Sequence, residues 1–169
     1  RPVLRVHVEG WSEEPGGLDR LGEICAAAGF RRAPHPGSYR KTLWVDLRPE
    51  PDAIFGAFHG TARRHVRAPE KKGFRVRPIE DEAHLPALRA MYREAFERTG
   101  APAPPLDVPR LLRLGRQRPD RVRVVGLFPA DRPGAAPLSF AAALHHGDVA
   151  EYAFAGSVRD PELRVPLLY

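Results

Sequence analysis

The chain has 169 residues, room for one ordinary domain or two small halves, and its 43% apolar content can bury a core, which excludes disorder as the default state. Lys and Arg number 27 against 21 Asp and Glu, so the formal net charge is +6 and the pI about 10.1. That balance favours an anionic partner such as nucleic acid, nucleotide, phosphate or an anionic surface. A single cysteine, Cys25, excludes an intrachain disulfide and suits a reducing cytoplasm, and no apolar run approaches the ~18 residues of a membrane helix.

The opening "PVLRVHVEG" alternates Val3, Arg5 and His7 with Leu4, Val6 and Val8 and reads as a strand. "GGLDRLGEICAAAGF" carries Leu18, Leu21, Ile24 or Cys25, and Ala28 at helical spacing, with Gly29 as the stop and Cys25 as a small buried hydrophobe. "KTLWVDL", residues 41–47, reads as a second strand, completing a β-α-β unit. A helix is predicted over about 52–68, opened by Pro51 and Asp52, with Ile54, Phe55, Phe58, Ala62 and Val66 as its buried stripe. "GFRVRPI", residues 73–79, is a short strand. The clearest helix follows, with Leu85, Leu88, Met91, Tyr92, Ala95 and Phe96 on its apolar face, Glu80, Asp81 and Glu82 near its N-terminus, and Gly100 at its end. A Pro-rich connector leads to a short helix, "RLLRLGRQR". Three strands are predicted over 121–128, 138–146 and 149–157, the last two joined by a Gly-Asp hairpin turn. A final helix starts at Asp160 with Pro161 in its first turn. Mixed elements ending in an antiparallel meander predict an α/β or α+β sheet with helices packed on its faces. The start at Arg1 without Met and the stop inside an apolar run suggest a piece of a longer protein.

The chemistry concentrates in "TARRHVRAPEKKGFRVRP", residues 61–78, where seven of eighteen residues are Arg or Lys. On a helix, Arg63, Arg67 and Lys71 fall in one row at i, i+4, i+8, with Arg64 beside Arg67. Two readings stay open: cations placed at a helix C-terminus, where the macrodipole welcomes them, or a site for a phosphate-bearing ligand. Pro69 predicts a kink or stop there, so that Lys71 and Lys72 leave the row. In "VAEYAFA", period two puts Glu151 on one strand face with Val149 and Ala153, and Tyr152 on the other with Ala150 and Phe154. Glu151 is a candidate general base and Tyr152 a candidate proton donor to a leaving group; a solvated edge carboxylate and a packed ring are the alternatives. Arg98 in "ERTG" has the fork geometry to clamp a phosphate or carboxylate; a solvated helix end is the alternative. The seven His residues show no metal-ligand spacing, and no Ser-His-Asp or Cys-His arrangement is visible. Trp11 and Trp44 read as packing residues.

Taken in order, the strand "TLWVDL", the basic "F…ARRHVRAPEKKGFRV", the long helix ending in "ERTG", and the hairpin "PLSFAAALHHGDVAEYAFAGS" with "LRVPLLY" after it resemble the FemABX-type acyltransferases, a branch of the GNAT superfamily of N-acyltransferases. The resemblance is best from Thr42 to Tyr169. It implies two GNAT-like lobes. Residues 1–47 would be the C-terminal part of the first, and 48–169 the N-terminal part of an incomplete second, built on a mixed, mostly antiparallel sheet with helices on both faces. It also implies transfer of an aminoacyl group from aminoacyl-tRNA to an amine of a peptidoglycan precursor, or of an acyl group from acyl-CoA, with no tightly bound cofactor. The cations Arg63, Arg64, Arg67 and Lys71 correspond to the family's basic helix, from which Pro69 departs. The loop "GSVRDPE", with Gly156 and Arg159, lies where a pyrophosphate-binding turn is expected; lacking the Gly-rich pattern, it favours a donor other than acetyl-CoA. The competing classes are an acyl-CoA-dependent N-acetyltransferase, a non-catalytic nucleic-acid-binding module gripping a backbone through 61–78, and a GNAT lobe kept only as a scaffold.

Overall fold

The computed structural model describes residues 8, 10, 12, 14–33, 43–98, 100 and 103–159. The chain divides into two compact units, Arg1–Glu50 and Pro51–Tyr169. In the first, α1 spans Gly17–Ala27. It ends because Gly29 takes φ 83°, which lets the Gly29 N–H donate to the Ala26 carbonyl and the Phe30 N–H to the Cys25 carbonyl, at 3.0 and 2.9 Å. Those two bonds satisfy carbonyls that the helix end leaves open. None of its side chains is fully buried, and Cys25 is half-buried and free rather than enclosed.

The strand expected over 41–47 is not found among its described residues. Residues 43–47 carry no ladder, and Leu43 is 89% exposed. Alternation alone cannot make a strand; it needs a neighbour to accept its backbone bonds. Here the chain bends instead. Arg48 holds both oxygens of Asp46 at 2.8 Å, and its backbone N–H reaches the same carboxylate at 3.1 Å. The β-α-β unit is therefore absent among the described residues. Of the strand read over 3–8 only Val8 is described, and it is exposed and in no ladder; the helix read from Asp160 lies outside the described residues.

The second unit opens with α2, Pro51–Ala57, and α3, Gly60–Lys71, in place of the single helix expected over 52–68. The break falls at Phe58 and His59, between two glycines of low helix propensity, Gly56 and Gly60. His59 is extended, with φ −53° and ψ 144°, and its Nδ1 accepts from the Thr61 N–H at 3.3 Å, capping the new helix. The stop expected at Pro69 falls two residues later, as α3 runs through it to Lys71. Proline removes one N–H and crowds the turn before it, and the helix extends only two residues beyond it.

Next come β1 (Phe74–Pro78), a short 3₁₀ turn at Glu82–His84 capped by Asp81, α4 (Leu85–Glu97) and α5 (Val108–Gln117). The last described elements are β2 (Val122–Pro129), β3 (Ser139–His146) and β4 (Val149–Ser157). The strands form one sheet in the order β1-β2-β3-β4, antiparallel at every described pairing, so the fold is α+β. Val122, Val124 and Phe128 of β2 and Phe140 and Ala142 of β3 share one face, and α4 and α5 close over it with Leu88, Met91, Tyr92, Val108, Leu111 and Leu112. Both helices cover this face; α5 packs on β2, α4 on β4 and β3, and α3 lies beside the edge strand β1. A helix approaches β4 closely because Gly156 has no side chain: a Cβ there would sit 2.8 Å from the Met91 carbonyl carbon. Tyr92 donates from its hydroxyl to the Pro104 carbonyl at 3.2 Å, tying the Pro-rich connector to α4.

Candidate functional site

The cations of the basic stretch gather on α3. Gly60, Arg63, Arg64, Arg67, Ala68 and Lys71 outline a recess of about 380 Å³. Every wall of it is the same helix, so the feature is an open shelf and not an enclosed pocket. Lys71 keeps its place in the row, because the helix continues past Pro69. Two of the four cations are spoken for. Arg63 donates from Nη1 to the Gly56 carbonyl at 2.6 Å, satisfying an acceptor at the end of α2. The Arg67 guanidinium lies 4.8 Å from the centre of the Phe55 ring. Both contacts hold α2 against α3. Arg64 and Lys71 make no ion pair or side-chain hydrogen bond among the described residues. The sole acid of the helix, Glu70, faces Arg75 of β1 at 3.3 Å, so the shelf's positive charge is not cancelled by its own helix.

Glu151 and Tyr152 sit on β4, the opposite edge of the sheet from β1. The period-two assignment is corrected by a β-bulge. Ala142 pairs with Phe154 while Ala143 pairs with Tyr152, leaving Ala153 as an extra residue. Glu151, opposite Leu144, therefore shares the face of Ala142 and Phe154, and Tyr152, opposite Ala143, lies on the other face from Phe154. The two candidates lie on opposite faces of β4, which is an edge strand among the described residues. Both are exposed, Tyr152 to 66%. Arg98 is an exposed residue at the C-terminus of α4, and Arg159 is exposed just beyond β4. Neither lines the α3 shelf. Three strand spacings separate β1 from β4, roughly 14 Å, so the cation row and the Glu151–Tyr152 edge are two places and not one.

A second recess, about 230 Å³, escaped the sequence reading. There the Arg77 guanidinium lies 4.3 Å over the Phe128 ring, and the His84 ring meets the same phenyl at 5.4 Å. Period two in "FRVRP" does put Arg75 and Arg77 on one face, but their partner ring is 51 residues further along the chain for Arg77, and only the β1–β2 pairing reveals it. Among the described residues no group of three or more His, Cys, Asp or Glu is placed to hold a metal ion, and no helix is long and apolar enough to cross a membrane. No protein-family model matches this sequence. No curated protein matches it either.

Proposed function

We propose that the protein is an acyltransferase of the FemABX-like GNAT type, transferring an aminoacyl or acyl group to an amine acceptor of the peptidoglycan-precursor kind. The observation that carries the reading is the bulge in β4. It leaves Ala153 without a partner residue in the β3–β4 register, on a strand that is an edge among the described residues, with Glu151 two positions before it. A backbone N–H turned outward at a bulge can donate to a carbonyl oxygen that gains charge during attack. In the reaction the acceptor ammonium first gives one proton to solvent, the amine nitrogen attacks the acyl carbon, and Glu151 takes the second proton that the nitrogen sheds as the amide forms. The bond from that carbon to the donor oxygen or sulfur then breaks. Tyr152, on the other side of the edge, supplies a proton to the departing group and is recharged from solvent.

The α3 shelf serves the donor. An open row presenting Arg64, Arg67 and Lys71 suits a phosphate chain that runs past it, and suits a small enclosed pyrophosphate poorly. The shelf lies beside β1 and the candidate pair on β4, with two strands between, which favours a carrier long enough to reach both places. Aminoacyl-tRNA meets both requirements, in a cytoplasm that keeps Cys25 reduced. Arg98 and Arg159 belong to neither cluster and are given no role. A plain nucleic-acid-binding module is the second reading, favoured by the openness of the same shelf.

A transfer assay with charged tRNA, acetyl-CoA and an amine-bearing precursor separates them. Glu151→Gln is expected to lower kcat/KM about 10²- to 10⁴-fold, and the pair Arg64→Gln with Lys71→Gln to raise the donor KM while leaving kcat near wild type. Transfer that is unaffected by Glu151→Gln would overturn the assignment of the base. Binding of tRNA without transfer to any acceptor would favour the second reading.

A further inference from the structure

The cationic stretch on α3 is not the only one. Helices bury one stripe and present the other to solvent. In α4 the buried positions Leu88, Met91 and Tyr92 put Arg89 and Arg93 on the outer side, one turn apart. In α5 the buried Val108, Leu111 and Leu112 put Arg110 and Arg113 outward, again about one turn apart. The two helices pack side by side over the sheet, and packed helices run with axes about 8–10 Å apart. Four guanidinium groups therefore share one outer layer. All four are exposed, and none makes an ion pair or side-chain hydrogen bond among the described residues. The nearby acids do not reach them. Asp107 accepts the Arg110 backbone N–H at 3.0 Å as the cap of α5, Glu82 is held by Arg116 at 2.8 Å, and Glu97 lies beyond ion-pair distance of Arg93. Like charges one turn apart repel, so the arrangement gains most when an anion lies across it.

The occupant follows from what the layer lacks. A protein partner needs a desolvated apolar centre, yet none of the large exposed hydrophobic side chains belongs to α4 or α5. A helix that lies in a bilayer interface must lend its apolar stripe to the lipid, and these stripes are committed to the protein's own core. What remains is a partner held by charge and hydrogen bonding alone, with phosphates repeated at intervals that a set of guanidinium forks can match in pairs. We infer that the outer layer of α4 and α5 binds the phosphodiester backbone of a nucleic acid, without reading its sequence, at a surface separate from α3.

The test is fluorescence anisotropy of a labelled mixed-sequence RNA duplex of about two helical turns, titrated with the whole chain over a KCl series. Wild type is compared with Arg89→Gln/Arg93→Gln/Arg110→Gln/Arg113→Gln and, separately, with Arg64→Gln/Lys71→Gln. Each phosphate contact contributes about 0.9 to the slope of log K against log salt. The fourfold variant is therefore expected to lose about 3 to 4 units of slope with an unchanged thermal midpoint, a change that the α3 variant does not reproduce. An unchanged slope in a folded fourfold variant would overturn the inference. So would sedimentation with vesicles containing phosphatidylglycerol, abolished by the same four substitutions, in a protein that does not bind the duplex. The α3 variant keeps the outcomes apart: loss of slope there alone supports the donor shelf and contradicts the second surface.

Discussion

Single residues carry the sharpest consequences. Gly156 is the point where α4 rests on β4, and the contacts that a Cβ would meet include the Met91 backbone, which cannot swing aside. Gly156→Ala is expected to cost about 1–3 kcal/mol by overpacking, read as a fall of several degrees in the melting temperature. Asp120 shows the electrostatics of the surface. Its carboxyl is lowered from 3.8 to about 2, chiefly by the side-chain hydrogen bonds from Arg118; burial opposes the shift, and the charges of Arg118 and Arg121 add smaller amounts to it. A carboxyl whose pKa is lower in the folded state favours folding while ionised. That contribution is present above about pH 4 and is lost as pH falls through about 2. The melting temperature of Asp120→Asn is therefore expected to decline less than wild type across that window. The difference should shrink in high salt, because the pair is exposed. A parallel decline in both proteins at low salt would contradict the assignment.

At the level of elements, the corner between α2 and α3 is made by Phe55, expected in the buried stripe, and by Arg63 and Arg67, two of the cations considered for a phosphate-bearing ligand. Phe55 and Arg67 bridge it through one cation–π contact and Arg63 through one backbone carbonyl. A double-mutant cycle with Phe55→Leu and Arg67→Gln is expected to return a coupling of about 0.5–1 kcal/mol, the range for an exposed contact of this kind. A coupling of zero would free Arg67 for the anion role alone. The corner also marks the limit of what spacing reveals. The stripe of Leu88, Met91 and Tyr92 was legible because a buried helix face repeats every three or four residues. The Gly-Asp hairpin was legible because Gly147, at φ 57°, supplies a conformation that few residues adopt. The break at His59 was not, since an imidazole acting as a cap has no distinctive pattern. Nor was the bulge at Ala153, because strict alternation is the very assumption that a bulge violates.

For the molecule as a whole, the sheet order decides which candidates can cooperate. The row of Arg63, Arg67 and Lys71 could be read from the sequence, being a matter of spacing on one helix. Whether the row faced a cleft could not, since that depends on what other elements stand opposite. Topology puts α3 beside β1 and the Glu151–Tyr152 edge on β4, with two strands between them. A donor that uses both must therefore be long, and its phosphate contacts must be open to salt. The strand expected over 41–47 failed for a reason at this same scale: a strand exists only where a neighbour pairs with it, and Leu43, Trp44 and Val45 have no ladder among the described residues.

Binding of aminoacyl-tRNA across a KCl series, with wild type and Arg64→Gln/Lys71→Gln side by side, tests the donor shelf most directly. Loss of two phosphate contacts is expected to make the slope of log K against log salt shallower by about 1.4 to 1.8, at 0.7 to 0.9 for each contact. Equal slopes and equal affinities in the two proteins would show that the open cations of α3 hold no phosphate chain.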